Sequence, residues 1–333
     1  MTQCYPGNVA KSIETHPCET FVLFPGSLGD FVCVLPALEV LKATSHAQKI
    51  VVAVRGQPLE IASRIPWISR VVSLDRGLFS AFFSSPTTIN DEAVQLFSSV
   101  QHVVSWFGHA SFEVRVTLEC LVPGRVQSFA FFSGQEQSHA CQYYLRCIGG
   151  RETRCPSLTI GNEDDKWLDA YWQLHGWRSS SRILLMHPGS GGKRKRWAVD
   201  GFAQVARWWK DRANRQVVIL LGPAEECEGE MWRNEGVVEN SLSLWQLGAL
   251  LNRADLYVGN DSGVSHLAGA VGARGVVLFG PTSPEQWRPL GGALTVISNQ
   301  AYRATAPDNV GISLQEVLPE AVIVELARIG GIR

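Results

Sequence analysis

The chain has 333 residues, more than one ordinary core absorbs and enough for two domains of common size. Hydrophobic residues at 45% and charged residues at 18% mark it as globular rather than disordered, and a net charge of -1 excludes a global field that would recruit nucleic acid. Its eight cysteines form no CxxC pair and no zinc spacing, and at this length they do not read as a disulfide framework, which points to a reducing compartment.

In chain order, Met1 to Glu19 is polar, is broken by Pro6 and Pro17, and lacks the apolar core of a secretory signal. No apolar run approaches the roughly 20 residues of a membrane helix, so a soluble protein is expected, one still able to touch a membrane surface. Phe21 to Phe24 reads as a buried strand, Pro25-Gly26-Ser27-Leu28-Gly29-Asp30 as a turn, and Phe31 to Lys42 as mostly helical. Ile50 to Val54 and Arg70 to Leu74 follow as strands. Gly149 to Ser181 reads as a connector holding a helix from Asp164 to Gln173. The opening grammar then returns: strand Ile183 to Met186, turn His187-Pro188-Gly189-Ser190-Gly191-Gly192, helix Gly201 to Lys210. Strands are expected again at Gln216 to Leu221, Leu256 to Val258 and Gly275 to Phe279. Two echoed strand–turn–helix series predict two parallel-sheet α/β domains rather than one large sheet. Ser313 to Glu316 has the form of a capping box, but Pro319 sits too deep for a helix starting there. A short turn and then a helix from about Pro319 to Ile329 are expected, with Val322, Leu326 and Ile329 on one face.

The most informative stretch runs from Leu256 to Ala268, where an apolar run stops at Gly259-Asn260-Asp261-Ser262-Gly263 and a small-residue helical pattern follows. Such a junction presents backbone N–H groups to an anion. A second strand end, Gly280-Pro281-Thr282, follows soon after, and the two together suggest a cleft for a phosphorylated ligand. His266 reads either as a satisfied helix histidine or as a participant beside Asp261, Ser262 and Gly263; a metal site is disfavoured, since no second His or Cys completes a ligand set. Asp30 fits a helix cap or first-turn acid, and also a general base at a strand's carboxyl end. The run Lys193-Arg194-Lys195-Arg196 fits a solvated charged face, and also a cradle for an anionic leaving group. Glu225 and Glu226 fit first-turn acids, or a carboxylate accepting ribose hydroxyls. Gly26 to Asp30 lacks the third glycine of a dinucleotide fingerprint, and Gly192-Lys193 is followed by Arg194 rather than Ser or Thr, so hydride transfer and a Walker loop both lose support. The eleven tryptophans have no spacing tied to these motifs and read as packing.

Taken together, Gly26-Ser27-Leu28-Gly29-Asp30 before Leu35-Pro36-Ala37-Leu38, His187-Pro188-Gly189-Ser190, Lys195-Arg196-Trp197, Asn260 to His266 and Gly280-Pro281-Thr282 resemble glycosyltransferase family 9, the heptosyltransferase-like enzymes of lipopolysaccharide core assembly. Ile65 to Val72 and His139 to Leu145 are weaker echoes, and about Phe79 to Phe132, where acceptor specificity should lie, matches poorly. The resemblance implies a GT-B architecture, two Rossmann-like domains facing across a cleft: residues 1–160 for the acceptor and 161–318 for the nucleotide sugar, with the helix 319–329 packing back on the first domain. It implies an inverting, metal-independent transfer of a sugar, foremost heptose from ADP-heptose, to a lipopolysaccharide-core or related glycan. On this resemblance Asp30 is the base and Lys195 acts at the diphosphate. Ser190, Asp261, Ser262, Gly263 and His266 hold the sugar and phosphates, Glu225 or Glu226 the ribose, and Leu242 lies by the nucleotide base. Arg55 and Arg64 are either contacts for an acidic acceptor or ordinary surface charges. No cofactor beyond the donor is implied, and the expected location is cytoplasmic, peripheral to the inner face of the membrane. The alternatives are a family-9-like transferase with another nucleotide sugar, a non-catalytic nucleotide-sugar-binding protein, and a nucleotide-sugar epimerase of similar shape.

Overall fold

The computed structural model describes residues 19–44, 49–84, 89–132, 137–152, 154–222, 225–298 and 314–332. Two parallel sheets organise them. The first holds β1 (Glu19–Leu23), β2 (Lys49–Val54), β3 (Ile68–Ser73), β4 (Val100–Ser105) and β5 (Val126–Ser128) in the order β3-β2-β1-β4-β5. The second holds β6 (Arg182–His187), β7 (Arg215–Leu220), β8 (Val237–Glu239), β9 (Leu256–Asn260), β10 (Arg274–Phe279) and β11 (Ala293–Ser298) in the order β8-β7-β6-β9-β10-β11. Every ladder is parallel. Helices cover both faces, which is why central strands such as FVLF and ILLM are unbroken apolar runs instead of alternating ones.

Counted from β6, the second sheet has the doubly wound order of a dinucleotide-type fold, and the first has the same order without its sixth strand. Each sheet therefore reverses direction beside its first strand, between β1 and β4 and between β6 and β9. Ligands bind outside the carboxyl ends of strands at such a reversal. Both motif-bearing turns lie there: Phe24 to Ser27 follows β1, and Pro188 to Ser190 and Asp261-Ser262 follow β6 and β9.

The expected strands and helices form with ends shifted by at most three residues. The helix after β1 runs from Leu28 to Thr44, continuing through Pro36. The connector helix spans Asn162–Leu174, and the second-domain helix Val199–Lys210. Strands β4, β5, β8 and β11 carried too little apolar signal to be expected. β8 and β11 are only half-buried, and in β4 the exposed pair Gln101-His102 follows buried Val100.

The C-terminal helix forms at Pro319–Gly330, after a single turn of 3-10 helix at Leu314–Glu316; Ser313 of the capping-box pattern and the polar segment before residue 19 lie outside the described residues. Its packing corrects the expectation that it crosses back to the first domain. It lies against β9, β10 and the helix Val199–Lys210. Val322 and Leu326 are fully buried there with Leu256, Val258, Val276 and Phe202. The outer face of the second sheet is strongly apolar, and this helix supplies the cover. No helix among the described residues is long and apolar enough to cross a membrane.

Candidate active site

In the first domain, β1 ends at Leu23 and the chain turns through Pro25-Gly26-Ser27 into the helix Leu28–Thr44. Asp30 is the third helical residue. Its Oδ2 accepts hydrogen bonds from the Ser27 N–H at 2.9 Å and the Ser27 hydroxyl at 2.7 Å. This is the return arm of a capping box, with Asp in the place of Glu. The cap reading is thus part of what the residue does. Both bonds fall on one oxygen, and the carboxyl remains half-exposed. Gly26 is required beside it: a Cβ there would come within 2.5 Å of the Asp30 Cβ and of the Phe24 ring. Arg55 donates from Nε to the Pro25 carbonyl at 2.9 Å and so braces this turn from β2.

In the second domain the turn after β9 is held by a buried polar network. Asn260 is fully buried; its Nδ2 donates to the Pro188 carbonyl at 2.8 Å and its Oδ1 accepts from the Trp197 N–H at 3.1 Å. One side chain thereby ties β9 to the turn after β6 and to the loop that carries Lys195. The Asp261 carboxylate is buried and accepts from Lys195 Nζ at 2.8 Å, and the Asp261 carbonyl accepts from the Ser190 hydroxyl at 2.8 Å. Ser262 caps the helix Gly263–Ala270, its hydroxyl accepting from the Ser265 N–H and lying 3.2 Å from His187 Nδ1. The Ser265 hydroxyl closes the turn by donating to the Asn260 carbonyl at 2.6 Å. Burial first, and Arg196 next, push His187 down to about 4, so the ring is neutral at pH 7. The first-turn N–H groups of a helix have no intrahelical acceptor, so this helix end presents positive potential beside the Lys195 ammonium.

The two turns meet. The helices Leu28–Thr44 and Gly263–Ala270 pack against each other at their beginnings. A Cβ on Gly263 would stand 3.0 Å from Leu28 Cβ and 3.2 Å from the Gly29 nitrogen, and one on Gly29 would stand 3.0 Å from the His266 ring. A side chain at either position would press on the facing helix, so glycine at both suits this close approach. His266 is buried in the seam with Nδ1 3.6 Å from Cys33 Sγ of the other domain. Burial lowers its pKa to about 4 despite the opposing pull of Asp261. The seam is flanked on one side by His139 Nε2 and the Arg288 carbonyl at 2.8 Å. On the other, Glu60 accepts from the Leu244 N–H at 2.6 Å and from Trp245 Nε1 at 3.1 Å. A cavity of about 780 Å³ opens beside the first flank, between His139 and Gln142 and the segment Glu285, Arg288 and Ser298.

Comparison with known proteins shows what the chain is similar to. The model of glycosyltransferase family 9 (heptosyltransferase) matches residues 152–312, the stretch that carries the Lys195 and Asp261 turns. Lipopolysaccharide heptosyltransferase 2 of Escherichia coli K12 is 28% identical over 277 residues, 76% of either chain. Lipopolysaccharide heptosyltransferase 3 of the same organism is 28% identical over 139 residues, so the chain spans less than half the length of that relative, 40%. Among solved structures, E. coli ADP-heptose lps heptosyltransferase II superposes with a TM-score of 0.73 at 17% identity, covering 93% of this chain and 98% of that one. A glycosyl transferase family 9 structure from Veillonella parvula DSM 2008 gives 0.74 at 18%, covering 93% and 96%. The chain is heptosyltransferase-like: residues 152–312 are similar to glycosyltransferase family 9. Its architecture is the two-sheet GT-B arrangement of those structural neighbours.

The other residues expected at the site fall in several places. Glu225 is buried between the turns, and a Cβ on Gly189 or Gly222 would strike its carboxylate. It is paired with Arg196, and its second oxygen accepts from the Gly222 N–H at 3.1 Å. A ribose would therefore share a carboxylate the protein already uses; the Glu226 side chain lies outside the described residues. Leu242 is half-buried just before Ser243, which caps the helix Leu244–Arg253 with a full capping box. Arg64 forms a two-pronged pair with buried Asp164 at 2.9 and 2.7 Å and lies 4.6 Å over the Trp245 ring. Trp197 is buried with its Nε1 donating to the Val317 carbonyl at 2.9 Å, which confirms a packing role. Two contributors were overlooked in the sequence. Asn260 was visible in the motif but was assigned nothing, and Arg196 was counted as charge although it binds Glu225, Glu228 and the Ser190 carbonyl together.

Proposed function

We propose that this protein is an inverting glycosyltransferase that moves heptose from ADP-heptose, or a close nucleotide-diphospho-sugar, to a hydroxyl of a lipopolysaccharide-core glycan. The observation that carries the reading is the placement of an acid and a cation–carboxylate pair on two helix-start turns that meet at one seam. Asp30 stands on the first-domain turn, and Lys195 with Asp261 on the second. The acceptor hydroxyl gives its proton to Asp30 as its oxygen attacks the anomeric carbon from the face opposite the leaving diphosphate. The diphosphate takes up charge as it departs, and the Lys195 ammonium and the start of the helix Gly263–Ala270 stabilise it. These groups supply the charge a divalent cation would otherwise carry, so the reading invokes no resident metal or cofactor. Ser190 and Ser262 hold the turn in shape, and neutral His266 fixes the seam beside Asp30. The enzyme would act at the inner face of the membrane, where its glycolipid acceptor is built.

Asp30→Ala and Asp30→Asn are the test. Each is expected to lower transfer by about two to four orders of magnitude, the usual worth of a positioned acid–base group. Binding of the nucleotide diphosphate, followed by thermal shift, should stay close to wild type. Wild-type transfer in either variant would remove Asp30 from the mechanism.

A further inference from the structure

Behind the meeting point of the two turns, a second cavity of about 510 Å³ opens between the domains. Both domains and the chain that links them form its walls. Leu35 and Glu39 come from the helix Leu28–Thr44, and Arg64 and Trp67 from the connection that enters β3. Trp245 comes from the helix Leu244–Arg253, and Leu158 from the linker. Glu39 lies about 13 Å along its helix from Asp30, at about 1.5 Å per residue, so the cavity is separate from the catalytic turns. The linker is anchored on the second domain, where the Leu158 N–H donates to the Ala270 carbonyl at 2.9 Å. Ala270 ends the helix that Gly263 begins. The cavity therefore adjoins one of the two helices that meet at the seam and, through Leu158, is fixed to the end of the other.

Two charged side chains line it, and only one is matched. Both terminal nitrogens of Arg64 donate to Asp164, and its guanidinium lies over the Trp245 ring. Glu39 is half-buried and, among the described residues, has no hydrogen bond and no ion pair. Burial raises its pKa, and Arg154 opposes this only in part, acting through space. The rest of the lining named above is aliphatic or indole.

We propose that this cavity is a binding site for a small amphipathic organic cation, with a planar aromatic body against Trp67 and Trp245 and an ammonium or amidinium group on the Glu39 carboxylate. The volume fits, since sites for small organic ligands run about 300–1,000 Å³ and favour domain interfaces. Indole faces stack on aromatic rings and also attract a cation. A carboxylate partly withdrawn from water gains more from a cation than an exposed one does. A neutral ligand would leave Glu39 unmatched. An anion would be repelled by it and would find Arg64 already held by Asp164. Because the walls come from both domains, an occupant favours the arrangement in which they stand together.

The experiment titrates the folded full-length protein with three probes of one shape, naphthylmethylamine, naphthylmethanol and naphthoate, and follows their ring protons by saturation-transfer NMR. The amine should bind at least about 10-fold more tightly than either of the others, the worth of one charge-assisted contact. Glu39→Gln should bring the amine to the level of the alcohol and leave the alcohol unchanged, which a general loss of structure would not do. Trp67→Ala should weaken the amine and the alcohol alike. Adenosine diphosphate should not displace the amine, because the cavity lies away from Lys195 and Asp261. The proposal is overturned if the amine does not bind the wild-type protein, if naphthoate or the alcohol matches it, if its affinity is unchanged in Glu39→Gln or Trp67→Ala, or if adenosine diphosphate displaces it. None of these measurements requires sugar transfer, so the site stands or falls apart from the proposed function.

Discussion

Asn260 offers the sharpest test of how the second-domain turn is built. It is fully buried and makes two hydrogen bonds that no neighbour can replace, to the Pro188 carbonyl at 2.8 Å and from the Trp197 N–H at 3.1 Å. Asn260→Ala leaves both backbone groups buried and unpaired. Each orphaned group costs about 1–3 kcal/mol, so the pair amounts to about 2–6 kcal/mol. The space vacated by the amide is polar, and a water entering it would recover part of that, which places the expected loss near 3 kcal/mol. Asn260→Asp separates the two bonds. Its protonated form can still donate to Pro188, whereas its ionised form sets two acceptors against each other, so its stability should fall as pH rises through the titration of the new carboxyl. The assay is the urea midpoint with an unchanged m-value, read at several pH values. A loss below about 0.5 kcal/mol for Asn260→Ala, the size of an ordinary surface substitution, would refute the assignment of Asn260 as the tie between three segments.

Lys195→Ala should weaken nucleotide diphosphate binding about 10- to 100-fold by titration calorimetry, the worth of one charge-assisted contact; unchanged affinity would remove Lys195 from the leaving-group role. His187 and His266 are both depressed to about 4 in the folded protein, against about 6.5 unfolded. The unfolded chain takes up these protons first, so their contribution is intact above about pH 6.5 and is lost as pH falls toward 4, at up to about 2.7 kcal/mol per pH unit for two protons. His187→Asn should roughly halve that slope between pH 6.5 and 5, and a slope unchanged by it would refute the burial argument. Leu326→Ala should cost about 2–5 kcal/mol and lower protection from hydrogen exchange in β9 and β10, because the helix Pro319–Gly330 covers that face; loss of protection confined to the first sheet would show the helix to be docked there instead.

The parts of this fold legible in the sequence are those where a buried parallel strand meets a glycine turn. Such strands are apolar on both faces, and the turn that follows must be small, so β1, β6, β9 and β10 announce themselves. β5, β8 and β11 do not, because half-exposed edge strands carry mixed residues whose pairing is decided by their neighbours, and β4, though interior, is interrupted by the exposed polar pair Gln101-His102. The same division holds at the site. Lys195, Asp261, Ser262 and Gly263 are recognisable because their chemistry and their turn coincide in sequence. The tie through Asn260, the Arg196–Glu225 pair and the contact of Cys33 with His266 join residues 63, 29 and 233 positions apart, and no local pattern marks them. The C-terminal helix shows the converse. Its existence and apolar face were readable, but an apolar face does not say which sheet it covers.

The two halves of the site are held in physically different ways, and this bears on how they work together. The second-domain half is self-contained: Asn260, Ser190, Lys195, Asp261 and Ser265 satisfy one another within one domain. A donor binding there would meet a turn already ordered, and its affinity would depend little on the other domain. Asp30 is attached through the seam. There the closest approach is set by backbone against backbone at Gly29 and Gly263, with a small number of polar contacts to either side. Glycine contacts fix how near the domains can come, while side chains of both domains, among them Leu28, Phe31, Trp245 and Leu267, share one buried apolar cluster around them. On the proposed reading, opening the seam leaves the nucleotide side intact and removes the base from reach of the acceptor. Substitutions at Gly29 or Gly263 should therefore act on turnover far more than on nucleotide affinity, a separation that damage to the Asn260 network would not produce.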